Sequence, residues 1–262
     1  MTPTPSPTSD RQLAMFIAVA GATFLVWEVS WQRLLGLELG ATVTASAIVL
    51  AVFMSGLGLG AALWGHVARR TERVERLLAG LMVGVAVVGL ASHPLLARGL
   101  PALYAILAGQ AAAEPAGYLL AAVGLLAPTL LMGGVFPLLS QIAVRGGGSV
   151  AGTLGRLYAL ETLGSALGGL LAGFVLLGML GQLGAMAAAA AVNLVLAAWA
   201  LTLRAGPLAV DDEIPVLTPG RRERREGATP ADPATLRRAA LIATAACGLA
   251  LLALQVLWLR AF

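Results

Sequence analysis

Two glutamates, Glu28 and Glu161, stand inside long apolar stretches of this sequence and are its best candidates for chemistry. Glu28 comes 15 residues after Leu13, where the first stretch begins, and is therefore about 22 Å along a helix. A carboxylate at the centre of a membrane helix costs about 2.5–3.5 kcal/mol on insertion scales, so a partner or a proton must offset that cost. Gln32, Arg33 or a polar group on another helix could be that partner. Glu28 is then either a ligand or proton site that faces the interior of a helix bundle, or a structural group satisfied by Arg33 or by backbone.

The residues around Glu28 recur near the end of the chain at a constant offset of 227 positions. The offset preserves three residue types, in the pairs Val29/Val256, Trp31/Trp258 and Arg33/Arg260. This repeat predicts one complete unit followed by the first helix of a second. Trp31 and Arg33 share the first copy with Glu28, and they join it as candidate ligand-binding residues.

Glu161 lies one to two turns inside the end of its stretch, one turn after Tyr158. Its side chain is long enough to reach the membrane surface, or it can bind a ligand together with Tyr158. Glycines follow at small-xxx-small spacing, which lets helix backbones approach closely: Gly164, Gly168, Gly169 and Gly173. We predict that Gly164 and Gly168 pack on a neighbouring helix and that Glu161 faces protein.

A glycine-rich segment runs from Gly56 to Gly60, but no strand precedes it, as a dinucleotide-binding loop requires. Gly56 and Gly60 are therefore predicted to pack against another helix. Elsewhere, Pro128 and Pro137 bracket a segment that either bends a helix or breaks it into a polar site, and we favour bending.

The remaining reactive side chains form no recognisable centre. His66 and His93 lack a second ligand at metal spacing, and the single cysteine, Cys247, excludes an internal disulfide. We predict no catalytic residue, no metal site and no cofactor, and the sequence leaves open whether the complete protein is an enzyme.

Composition predicts an all-α membrane protein, with 59% hydrophobic residues, 11% charged residues and a mean hydropathy of +0.88. Seven runs are long enough to cross a bilayer. They cover residues 13–36, 43–65, 75–96, 117–143, 153–178, 183–203 and 239–260. The apolar segment 100–110 is too short to span and is predicted to be an interfacial or re-entrant piece.

All 17 basic residues are arginines, and 14 of them fall on one side of the predicted membrane. This asymmetry predicts that the N-terminus and residues 204–238 are cytoplasmic, and the position of the arginines at the ends of apolar runs argues against nucleic acid as a partner. We divide the chain into a disordered tail (1–10), a six-helix domain (11–203), a cytoplasmic linker (204–238) and a seventh helix (239–262). Trp31 and Trp258 near outer ends, with Trp64 and Trp199 near inner ends, are typical of aromatic belts. Six helices, a charged linker and a restarted first helix are the plan of a two-half major-facilitator transporter.

Several motifs in order resemble the membrane domain of bacterial spermidine-synthase-like proteins, also described as fused major-facilitator/spermidine synthase proteins. They are Glu28-x-x-Trp31-x-Arg33, Gly40-x-Thr42-x-x-Ala45, Phe53-Met54-x-Gly56-Leu57-x-x-Gly60, Pro128-Thr129-Leu130-Leu131-Met132-Gly133-x-x-Phe136-Pro137 and Tyr158-Ala159-x-Glu161-Thr162-x-Gly164. The aminopropyltransferase domain that such proteins often carry is missing from this sequence, and Ala68 stands where major-facilitator proteins commonly have an aspartate.

The resemblance implies a membrane anchor or ligand-binding module in the lipid bilayer of a bacterial inner membrane. The alternative is half of a major-facilitator-like transporter for a polyamine or another cation. Such a half would act with a second half or with another copy of the chain.

Overall fold

The computed structural model describes residues 9–40, 43–145 and 150–205, together with four single residues further on. The chain divides into two compact units, Met1–Leu208 and Ala209–Phe262. The described residues of the second unit, Arg238, Leu241, Ile242 and Ala246, are helical and exposed. Most of the predicted linker and of the predicted seventh helix thus lies outside the described residues.

The first unit is built from helices, and no strand occurs among its described residues. The helices are α1 (Asp10–Glu38), α2 (Val43–Arg70), α3 (Val74–Ile106), α4 (Ala113–Met132), α5 (Val135–Arg145), α6 (Val150–Leu171) and α7 (Leu177–Ala200), with a π-helical segment (Ala172–Leu176) between the last two. Five stretches are long and apolar enough to cross a membrane: Asp10–Glu38, Ser46–Arg70, Val74–Ile106, Ala113–Arg145 and Gly152–Ala200. An all-α bundle with five such stretches agrees with a multi-pass membrane protein.

The first helix begins earlier than the predicted tail allows. Ser9 caps α1, because its hydroxyl accepts from the Gln12 backbone while the Gln12 side chain accepts from the Ser9 backbone. This reciprocal capping box satisfies two N–H groups that the first turn leaves without helical partners. Asp10 is therefore the first residue of α1, and the prediction of a disordered tail through Asp10 is wrong at its last position.

The predicted separate piece at residues 100–110 is also wrong, since α3 runs without interruption to Ile106 and includes Pro94 and Pro101. A proline inside a helix removes one N–H bond and usually bends the axis, yet α3 stays helical through both prolines. With 33 residues α3 is about 50 Å long, which exceeds a hydrocarbon core of roughly 30 Å.

The fourth apolar run breaks at a glycine pair rather than at its prolines. The Gly134 N–H bonds to the Leu131 carbonyl at 3.1 Å, which deprives the Leu130 carbonyl of its usual helical donor. The indole of Trp64 on α2 donates to that carbonyl at 3.0 Å. Side-chain replacement of a lost backbone bond is what permits a broken helix within a bundle.

The fifth apolar stretch is a helical hairpin that turns back at Gly181, whose φ of +66° suits glycine. Gln182, just after the turn, donates to the Ser30 carbonyl at 3.2 Å. At the other end of α7, Trp199 lies 5.4 Å from Phe16, between ring centroids. The start of α7 thus lies beside Ser30 and its end lies beside Phe16, so α1 and α7 are antiparallel.

A seam of small residues joins α1 to α6, and there the two helices are parallel. Gly164 lies on the backbone of Ala18, and Gly168 lies on the backbone of Ala22. A Cβ atom at either glycine would overlap backbone atoms of α1. The second pair of glycines at this spacing, Gly169 and Gly173, is less tightly packed, since a Cβ on Gly169 would reach only one methyl carbon at 3.9 Å.

A matching seam joins α2 to α4, again with the helices parallel. Gly56 lies against the Thr129 side chain, and Gly60 lies against the Leu130 backbone. The third pairing is between α3 and α7, and α3 also contacts α4 while α1 contacts α7. Close approach of backbones at glycines is the usual means by which helices associate in apolar surroundings, where no hydrophobic effect drives them together.

Candidate ligand-binding site

Glu28 lies inside the bundle, with a side chain that is only 5% exposed. Its one hydrogen bond in the described structure is a long one of 3.4 Å, donated by the Gln32 amide one turn later. Arg33 is exposed and does not pair with Glu28, so the interpretation in which Arg33 satisfies the carboxylate is wrong. The buried carboxyl group therefore keeps acceptor capacity that the described residues do not use.

Trp31 lies one turn from Glu28 and is fully buried. Its indole N–H donates to the Ser92 hydroxyl on α3 at 2.8 Å, and that hydroxyl donates to the Gly89 carbonyl at 2.6 Å. The Trp31 ring also stacks on Trp27 at 5.6 Å and meets the edge of Phe53 on α2 at 6.5 Å. Trp31 thus joins three helices in the interior, and its assignment to an aromatic belt is wrong.

The two candidates on α6 lie elsewhere. The Glu161 carbonyl oxygen would be 2.6 Å from a Cβ on Gly21, which places Glu161 beside the part of α1 that precedes Glu28 by seven residues, or about 10 Å. Tyr158 is 66% exposed and contacts the Phe136 ring at 6.4 Å. Glu28 and Trp31 therefore lie close together on α1, whereas Glu161 lies beside an earlier part of α1 and Tyr158 contacts α5.

Three further polar residues belong to the interior and carry no motif that predicts them. Ser92 accepts from Trp31, and Gln182 reaches α1 two residues from Glu28. Asn193 on α7 is fully buried, and its amide nitrogen and oxygen both lack a partner among the described groups, as does the indole nitrogen of Trp27. Asn193 is the only asparagine of the chain and lies in an alanine-rich run, which is the one sequence signal for it.

A cavity of about 430 Å³ between α1, α6 and α7 does not supply a second site for a polar ligand. Its lining is apolar except for Thr23, whose hydroxyl already donates to the Ala20 carbonyl at 2.8 Å. Among the described residues no cluster of three His, Cys, Asp or Glu side chains is arranged to hold a metal ion. Comparison of the chain with protein-family models, with curated proteins and with solved structures finds no match.

Proposed function

We propose that this chain is the ligand-binding membrane module of a spermidine-synthase-like protein, and that Glu28 binds an organic cation such as a polyamine. The observation that carries the proposal is the buried Glu28 carboxyl group, which has one long hydrogen bond and no cation beside it in the described structure. An acidic group inside a membrane bundle is expensive, and its usual roles are ligand binding and proton transfer.

The surroundings of Glu28 suit such a ligand. Gln32 and Trp31 lie one turn away on the same helix, so an amide and an aromatic ring flank the carboxyl group. Because Trp31 is tied to Ser92 at 2.8 Å, α1 is held at a fixed rotation relative to α3. A site whose supporting groups are already fixed loses little conformational entropy when a ligand binds.

Replacing Glu28 by glutamine tests this proposal, with spermidine as the probe. A hydrogen bond to a charged group contributes about 1.5–3 kcal/mol, so Glu28→Gln should weaken spermidine binding by at least about tenfold. Isothermal titration calorimetry on the full chain in detergent measures that change. Removing a buried carboxyl group should at the same time leave the unfolding temperature unchanged or raise it.

The matched control is Glu114→Gln, which removes an exposed carboxylate near the start of α4. This variant should bind spermidine as the unaltered chain does. Equal losses in the two variants would mean that net charge, and not a site, attracts the polyamine. Absence of spermidine binding to the unaltered chain contradicts the proposal directly.

A second candidate function, half of a major-facilitator-like transporter, is favoured by the helix pairing. The described part of the chain has six spans: α1, α2, α3, α4 together with α5, α6, and α7. An inverted repeat exchanges spans one to three with spans four to six, in order. The α1–α6 pair then becomes the α4–α2 pair, α3–α7 maps onto itself, and α3–α4 becomes α7–α1; all of these pairs are in contact. Inverted three-helix repeats of this kind occur within each half of major-facilitator transporters.

Transport is tested by reconstituting the full chain into proteoliposomes and measuring uptake of labelled spermidine. A functional half that pairs with another copy should give uptake above protein-free vesicles, and Glu28→Gln should reduce it to the vesicle background. Uptake that Glu28→Gln leaves intact contradicts a role for this site in transport. Spermidine binding without uptake supports the binding module over the transporter.

A further inference from the structure

An excess of positive charge surrounds the short connection between α2 and α3. Four arginines, Arg69, Arg70, Arg73 and Arg76, are exposed there, whereas only two acids, Glu72 and Glu75, lie among them. In the described part of the chain no ion pair within 4.0 Å joins these arginines to either acid. We call these four residues the arginine patch.

Hydrogen bonds from α5 fix the backbone of the connection that carries the arginine patch. Arg145, the last residue of α5, donates to the Ala68 and Thr71 carbonyls at 3.1 Å each and to the Glu72 carbonyl at 3.4 Å. The Thr71 hydroxyl donates back to the Val67 carbonyl at 2.7 Å. The guanidinium group thus satisfies the Ala68 carbonyl in the last turn of α2 and two carbonyls of the connection just beyond it, and its charge suits the negative end of the helix dipole.

The depth of the arginine patch matches phospholipid headgroups. Arg69 and Arg70 end the membrane-spanning stretch Ser46–Arg70, and the next such stretch begins at Val74, so the patch lies at the ends of two spans, where cationic side chains reach the lipid headgroups. The arginines therefore project at the level of the lipid phosphates. A guanidinium group can donate two parallel hydrogen bonds to a phosphate, which an ammonium group cannot.

We propose that the arginine patch binds the headgroups of anionic phospholipids at the arginine-rich end of the bundle. The charge excess, the exposure of all four side chains and the rigid connection carry this inference, which is independent of the function proposed for Glu28. Anionic membrane surfaces attract clustered arginines near a membrane helix, and that attraction is screened by salt. Because the guanidinium groups stand on a fixed turn, little backbone freedom is lost on binding.

The test follows the unfolding temperature of the full chain in neutral detergent while phosphatidylglycerol is added. A ligand that binds only the folded state raises this temperature as its concentration passes the dissociation constant. Phosphatidylglycerol should stabilise the chain and phosphatidylcholine should not. Arg73→Gln should weaken the apparent affinity about fivefold, and Arg69→Gln with Arg73→Gln about 30-fold.

Two further variants separate the site from general charge. Arg98→Gln removes an exposed arginine from the other part of α3, and it should leave the response to phosphatidylglycerol unchanged. Arg69→Lys with Arg73→Lys keeps the charge but not the paired hydrogen bonds, and its affinity should fall between the unaltered chain and the glutamine variants.

The outcomes that overturn the proposal are distinct. Equal stabilisation by phosphatidylcholine, or an equal loss in Arg98→Gln, would show that no headgroup site exists at the patch. Stabilisation by soluble glycerol 3-phosphate at the concentration at which phosphatidylglycerol acts would identify a free phosphate as the ligand and reject the lipid. Stabilisation by phosphatidylglycerol that 0.5 M salt does not reduce would reject the electrostatic basis.

Discussion

Trp31→Ala is expected to lower the free energy of unfolding by about 3–5 kcal/mol, the range for removing a large aromatic side chain from a packed interior. Trp31 is 0% exposed and contacts Trp27 and Phe53 as well as Ser92. The cavity left behind would be lined by residues fixed on three separate helices, so the site could collapse only partly.

Two companion variants separate volume from hydrogen bonding. Trp31→Phe keeps one aromatic ring but loses the indole N–H and part of the buried ring volume, while Ser92 remains satisfied through the Gly89 carbonyl, so a loss of about 1–2 kcal/mol, smaller than that of Trp31→Ala, is expected. Phe174→Ala removes an aromatic ring that is 84% exposed and should change stability by less than about 0.5 kcal/mol. Unfolding in detergent, followed by circular dichroism, measures all three. Similar losses for Trp31→Ala and Phe174→Ala would contradict the interior role of Trp31.

Much of the helical framework could be predicted from hydrophobicity and length alone. The boundary predicted between runs ending at 178 and starting at 183 contains Gly181, where the chain reverses. The glycine spacing at Gly164 and Gly168 identified residues that lie on the backbone of α1. These features are readable because spanning length and backbone contact at glycine each depend on a few neighbouring residues.

Helix ends and breaks were harder to predict because they depend on contacts between distant residues. The run predicted to end at residue 96 continues in α3 to Ile106. The fourth run instead breaks at a glycine pair, where the free Leu130 carbonyl is satisfied by Trp64, 66 positions earlier. Arg145 was counted among the arginines that signal topology, yet its guanidinium group bonds to the Ala68 carbonyl in the last turn of α2 and to the Thr71 carbonyl just after it. A one-dimensional pattern does not record which distant side chain will supply a missing hydrogen bond.

For the same reason, the candidate site could be predicted only in part. Glu28 stands out in sequence because a carboxylate inside an apolar run is costly wherever the run packs. Whether Arg33 contacts Glu28 could not be predicted in the same way, because long side chains five residues apart on a helix can either meet or point apart. Trp31 looked like a belt residue, because a tryptophan near a helix end can face lipid or protein, and only the rotation of α1 toward Ser92 decides between them.

Gly168→Leu is expected to have an equally large effect, from overpacking at the α1–α6 seam. Any Cβ at this position overlaps the backbone of Ala22, and backbone atoms cannot move aside as a flexible side chain can. The helices would have to separate, which also breaks the contact of Gly164 with Ala18 one turn away. Overpacking typically costs about 1–3 kcal/mol, and we expect the upper end, about 3 kcal/mol, or failure to fold.

Two further variants, Gly168→Ala and Gly155→Leu, test whether this loss of stability comes from the α1–α6 seam. Gly168→Ala adds only the overlapping methyl group and should lose part of the stability, so it reports on the seam even where the leucine variant does not fold. Gly155, on the same helix, has open space around its Cα, and Gly155→Leu should be neutral or slightly stabilising because leucine favours helix more than glycine does. If both Gly168 variants unfold at the temperature of Gly155→Leu, then Gly168 faces lipid and the parallel pairing of α1 with α6 is incorrect. The inverted-repeat symmetry that favours a transporter half would fail with it, because that pairing is one of the two glycine seams the symmetry relates.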